Sequence, residues 1–324
     1  MLSDLSARAR TALVVAALAA GGAAAVAVGA ELTKEELPGD AATAPEPQPR
    51  EGSPPLVLSF GVREDAEARD LARAAELYRT GRRDEAAGVF RRYDSLEAKL
   101  GAAFAAWPES LDRIEQLGAL YPRSALVQLH VGLARFWAGR AGARQAWREA
   151  RDVEPDTPYA VRASDLLQPD FAPGLPTFVP SFEVELGEGT RAEQLDALVR
   201  DRTARGRLRL GVVLQGLGRP VSARRAFAEA AELAPNDVDA LVADAVGRFD
   251  KNNPSAAFSR LGPLTRRFPA SASVRFHLGV LLLWQGDLDE ARRQLERARK
   301  AAPGSKHARE AGRFLDAIRN AGTD

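Results

Sequence analysis

Three landmarks in the C-terminal half of the chain recur with one period. Pro235, Pro269 and Pro303 lie 34 residues apart in turn, and the same step relates Ala223, Ala257 and Ala291, and again Phe227, Leu261 and Leu295. Leu210-Gly211 returns in phase as Leu278-Gly279, and Gly218 as Gly286. A unit this short cannot bury its apolar face alone, so the period confines the chain to an array in which each unit covers its neighbour.

The chemistry of one unit is readable. Leu210, Val213, Leu214 and Leu217 have helical spacing, and Gly211 between them lets a neighbour approach closely. Gly218 ends that helix in the left-handed conformation that glycine tolerates. Ala223, Phe227 and Ala230 form one face of a second helix, with small Ala223 at the crossing and Phe227 filling the space beside it. Pro235 closes the unit.

These residues resemble the tetratricopeptide repeat family. Arg275-x2-Leu278-Gly279-x2-Leu282, followed by Gly286, Ala291, Leu295, Ala298 and Pro303, has the family's spacing. The departures are Arg207 and Arg275, where a large aromatic is frequent, and Leu214 and Leu282, where tyrosine is common. The match is strong for 204–305 within units spanning 191–305, and 306–320 is similar to the solvating helix that caps such stacks.

The N-terminal half, 63–168, repeats more loosely. Gly132, Gly139, Trp147, Ala150 and Pro155 make a unit one residue shorter at its turn, and Leu77, Gly81, Ala86 and Phe90 make another. Between them Leu96, Leu100-Gly101, Phe104, Ile114, Leu117 and Pro122 form a degenerate pair that turns at Pro108. The expectation is an all-α chain: a continuous right-handed superhelical solenoid of tetratricopeptide-type helix pairs over about 63–320, preceded by one N-terminal transmembrane helix.

Residues 169–190 break the pattern, because prolines at 169, 173, 176 and 180 forbid a helix. The reading is an insertion in the turn of one repeat whose helices are 158–168 and 191–203. Two roles compete for its Phe171, Phe178 and Phe182. They cover the end of an interrupted core as a lid, or they contact a partner or lie along the concave groove as a self-peptide.

The start of the chain reads as a targeting segment. A tail, 1–10, carries Arg8 and Arg10, and Thr11–Ala30 then runs twenty residues without a charge, the length of a bilayer span. Positive charge before it places the remainder outside the cytoplasm, giving a single-pass protein of the cell membrane. The alternative is a secreted protein cleaved near Ala30, since Val28-Gly29-Ala30 has small residues at a cleavage position. Residues 31–62 are proline-rich and polar and read as a disordered tether, with Leu56–Phe60 docking on the first helix.

Composition removes several functions. No cysteine is present, which excludes disulfides, thiolate metal sites and cysteine nucleophiles. Lys+Arg is 45 against Asp+Glu 44, so nothing marks a nucleic-acid binder. His130, His277 and His307 lie in different repeats without metal-ligand spacing. No phosphate-cradling GxxxxGK[ST], GxGxxG or GxSxG motif occurs. The reading is therefore no enzyme, no catalytic residue, no metal and no cofactor. Usage rich in Ala and Arg fits a GC-rich bacterial genome.

In the family that this chain resembles, first helices line the concave surface. The resemblance implies a partner-binding groove drawn from Arg205, Leu208, Arg209, Val212 and Gln215; Asp239, Val242, Val246 and Phe249; and Ser273, Phe276, His277, Val280 and Trp284. Phe249 and Trp284 are the expected anchors for a partner helix or extended peptide. The expected function is a membrane-tethered scaffold for another protein, with homo-oligomerisation left open. Its alternatives are an assembly factor for envelope complexes or cytochrome maturation, a secreted binding protein, and a repeat-bearing cell-envelope enzyme.

Overall fold

The computed structural model describes residues 48–323. The expected cytoplasmic tail, membrane segment, cleavage position and residues 31–47 of the tether lie outside the described residues. Among the described residues all regular structure is helical, in fifteen helices with no strand. None of those helices is long and apolar enough to cross a membrane.

The described chain divides into two compact units: 48–167 with 190–192, and 168–189 with 193–323. The N-terminal unit contains α1 (Ala66–Arg79), α2 (Arg83–Phe90), α3 (Leu96–Ala105), α4 (Leu111–Leu120), α5 (Ala125–Trp137), α6 (Ala143–Val153) and α7 (Pro158–Leu167). After α8 (Arg191–Arg200), the C-terminal unit contains α9 (Ala204–Gly216), α10 (Pro220–Leu233), α11 (Val238–Gly247), α12 (Ser255–Arg267), α13 (Ala272–Trp284), α14 (Leu288–Ala301) and α15 (Lys306–Thr323). In each unit every helix packs on the next, and alternate helices also touch: α1, α3, α5 and α7 in one, α9, α11, α13 and α15 in the other. That double contact makes a stack of helix pairs with one row of helices on its inner side.

The periodic residues are the ones that close this stack. Ala223, Ala257 and Ala291 are buried, as are Phe227, Leu261 and Leu295. At Gly211 a Cβ atom would lie 2.2 Å from the Phe227 ring, so α9 meets α10 only because that residue has no side chain. Gly218 ends α9 at φ 69°, where an L side chain is strained. First helices start on side-chain caps: Asp65, Thr203, Asp237 and Ser271 each accept the N–H three residues ahead.

Two expectations change. Residues 158–168 and 191–203 do not make one repeat around the insertion, because α7 packs on α5 and α6 and closes the N-terminal unit, the place that α15 holds on α13 and α14 in the other. The tether expected to reach residue 62 ends earlier, because 50–59, which bends at 51–52, is bonded to the N-terminal unit. Arg50 donates its N–H to the Trp137 carbonyl, and Pro54 accepts from the Tyr78 hydroxyl at 2.6 Å.

Candidate functional site

The concave side of the C-terminal unit is occupied by its own chain. Residues 168–185 begin in a turn at 168–171 and then run across α9, α11, α13 and α15, extended over 175–180, and side chains from those four helices take up successive backbone groups. Gln215 is bidentate: its Oε1 accepts the Phe178 N–H at 3.0 Å and its Nε2 donates to the Phe178 carbonyl at 2.7 Å. His277 accepts the Val179 N–H on Nε2 at 2.9 Å, and His307 Nε2 donates to the Val179 carbonyl at 2.9 Å. Asp239 accepts from Ser181 twice, from its N–H at 2.9 Å and its hydroxyl at 2.5 Å. Lys306 donates to the Phe182 carbonyl at 3.1 Å, and Arg209 to the Glu185 carbonyl.

Towards its start the segment is held the same way. Lys251 Nζ donates to the Ala172 carbonyl at 2.7 Å, and Trp284 Nε1 to the Gly174 carbonyl at 3.4 Å. Apolar contacts complete the seat. Phe178 is fully buried, stacked on His277 with ring centroids 5.3 Å apart and edge-on to Phe227 at 5.5 Å. Phe171 meets Phe249 edge-on at 6.5 Å, and the Arg205 guanidinium lies 3.3 Å from the Phe182 ring centroid.

The protonation of His277 follows from its partners. Its Nδ1 lies 2.8 Å from the Ser273 carbonyl, so Nδ1 carries the proton and Nε2 is free to accept. Burial, with a smaller repulsion from neighbouring His307, pushes His277 down to about 3 and keeps the ring neutral. Ser273 also reaches Asp239 Oδ1 at 3.5 Å, tying two of the reading side chains together.

All eight expected groove residues are therefore in one place: Arg205, Arg209, Gln215, Asp239, Phe249, His277 and Trp284 touch the segment, and Ser273 positions two of them. Their occupant is the chain's own 168–185. Phe249 and Trp284 are only 6% and 7% exposed, so neither is a free anchor for an outside partner. Leu208, Val242, Val246, Phe276 and Val280 are core residues, with Val212 half-buried. Lid and self-peptide, set apart from the sequence, coincide here: Phe178 belongs to the core cluster and its backbone lies in the groove.

The N-terminal unit carries a counterpart that sequence reasoning missed. His130 on α5 accepts the Val57 N–H at 3.0 Å, while its Nδ1 lies 2.7 Å from the Leu126 carbonyl. Burial pushes His130 down to about 4. The Tyr159 hydroxyl accepts the Ser59 N–H at 3.1 Å and lies 3.2 Å from its carbonyl. The signal was present: Ser124-x5-His130-x-Gly132-x4-Trp137-x-Gly139 matches Ser271-x5-His277-x-Gly279-x4-Trp284-x-Gly286, and Tyr159 stands where the second unit has His307.

Among the described residues no group of three or more His, Asp or Glu is placed to hold a metal ion. The polar atoms of the groove face amides and carbonyls of an extended chain, which is recognition chemistry.

Residues 248–313 match the tetratricopeptide repeat family. That stretch runs from just after α11 into α15 and includes Phe249, Lys251, Ser273, His277, Trp284, Lys306 and His307 of the groove. Solved structures similar to this chain include yeast Tom70, at 15% identity and TM-score 0.35, over 84% of this chain and 53% of that one. Another is YrrB, a TPR protein with an unusual peptide-binding site, at 16% identity and TM-score 0.28, over 77% and 99%. A third is a thermophilic TPR protein of Thermus thermophilus, at 20% identity and TM-score 0.21, over 78% and 100%. The chain spans about half the length of the Tom70 chain. No curated protein matches it.

Proposed function

We propose that the chain is a non-enzymatic interaction scaffold, tethered to a membrane by residues 11–30, whose stacked helices recognise another protein. The observation that supports this reading is the row of side chains on α9, α11, α13 and α15 that takes up the main chain of an extended segment. Side chains arranged to satisfy a peptide backbone are the equipment of a protein-binding surface. The uncharged run Thr11–Ala30 supports the tether.

Cross-linked affinity purification from membranes of the native host tests the reading, with the 169–190 deletion run beside the wild type. A stoichiometric protein partner recovered with the wild-type chain is the expected result. Recovery of the chain alone in both samples would sink the scaffold.

A further inference from the structure

A segment that only fills space is held by its side chains. Residues 178–182 are held by their backbone as well, through Gln215, His277, His307, Asp239 and Lys306. A surface that reads main chain accepts any extended peptide and selects by side chain only where a pocket exists. Those places are Phe178, between His277 and Phe227, Ser181, whose hydroxyl donates to Asp239, and Phe182, beneath Arg205. Pro180 lies between them and has no N–H to offer.

The device occurs twice. Val57 and Val179 give their N–H groups to histidines at the same position of matching helices. Each valine sits in the same pattern: Pro54-x-Leu56-Val57-x-Ser59-Phe60 in one unit, Pro176-x-Phe178-Val179-x-Ser181-Phe182 in the other. The connection behind the second segment is open, since 185–190 are all exposed and include Gly187 and Gly189.

We propose that residues 176–182 are an internal copy of a ligand. The groove of α9, α11, α13 and α15 binds in trans an extended partner segment of the pattern Pro-x-bulky apolar-Val-x-Ser-aromatic, and the tethered copy keeps it closed until displaced. This rests on the scaffold reading and adds to it the partner's chemistry and a gate. A tethered segment competes at an effective concentration on the order of millimolar, so a free peptide of equal intrinsic affinity barely enters the intact chain.

The test uses the full chain and a fluorescent peptide of residues 170–184, read by anisotropy. Three proteins are compared: the wild type, the Phe178→Ala/Phe182→Ala double variant, and a wild-type chain with a protease recognition sequence at 187–189, cut after purification. The peptide is expected to bind the double variant and the cut chain at least about 30-fold more tightly than the intact one, by removal of that competitor. Adding Gln215→Ala should weaken this binding at least tenfold, and a peptide with alanine at positions 178 and 182 should fail to bind. The cut chain carries the test if circular dichroism shows the double variant unfolded. Refusal of the peptide by the cut chain, with the helices intact, would overturn the proposal and leave 176–182 as fixed core. A partner still cross-linked to a chain that refuses the peptide would remove this inference alone; peptide entry with no partner in the host would remove the scaffold reading and with it the partner, leaving only a groove that takes this peptide.

Discussion

The carboxamide of Gln215 meets both backbone polar groups of Phe178, the N–H at 3.0 Å and the carbonyl at 2.7 Å, across 37 residues of sequence. A single side chain thus does for residue 178 what a neighbouring strand would do in a sheet. Replacing Gln215 by Ala leaves that N–H and carbonyl without their partner, a loss of about 1–3 kcal/mol. The expected outcome is a lower urea midpoint together with faster hydrogen exchange at Phe178 and Val179. Exchange that stays at the wild-type rate at both amides would show that Gln215 does not hold the segment.

Acid should loosen both units through their histidines. His277 is pushed down to about 3 and His130 to about 4, against an ordinary value of 6.5. A group with a lowered folded value takes up protons more readily in the unfolded chain, so its contribution is complete above pH 6.5 and shrinks as pH falls towards the folded value. At pH 5 the loss is about 2 kcal/mol for each histidine. Carboxylates such as Asp65, held down to about 2 by its bond to Arg63, lose their share only below their ordinary value near 3.8. Urea midpoints between pH 7 and pH 5 should therefore fall in the wild type and fall less steeply in His277→Gln and His130→Gln. Equal slopes in all three proteins would contradict the buried neutral state.

Glycines separate packing from propensity within α9. An alanine Cβ at Gly211 would sit 2.2 Å from a Phe227 ring that is itself fully buried, so Gly211→Ala should cost about 1–3 kcal/mol through overpacking. At exposed Gly216 the added atom meets nothing within 4 Å, and Gly216→Ala should stabilise by roughly 0.5–1 kcal/mol. Thermal melts that move in opposite directions for the two variants are the expected result.

What could be read in advance follows from what leaves a periodic trace. Ala223, Phe227 and their copies 34 residues on mark a helix crossing, and every one of them is buried. Arg207 stands where the family frequently has an aromatic, and the substitution is met by Glu229 at 3.5 Å and the Val199 carbonyl at 2.8 Å. The groove residues could be listed because the family that the sequence resembles places such residues on first helices. Their occupant could not be fixed, since a bond such as Val179 to His277 joins positions 98 apart with no repeat between them. Lys306 and His307 were hidden for another reason: a helix that reads as a solvating cap also supplies two groups to the groove. In the N-terminal unit the proline-rich composition of 48–59 spoke for a loose tether. His130, Tyr78 and Tyr159 supply the bonds that composition does not reveal.

The tether itself is open to a direct measurement. Thr11–Ala30 has no charge but is rich in alanine and glycine, so its apolarity is modest for a span of that length. If it is an uncleaved anchor, the chain remains in the membrane fraction after carbonate washing and its intact mass includes residues 1–30. Deleting 11–30 then moves it to the soluble fraction. A mature mass that begins after Ala30, with the chain in the extracytoplasmic soluble fraction, would replace the anchor by a cleaved leader. The groove would be unchanged by that outcome, but any partner would then have to be met away from the membrane.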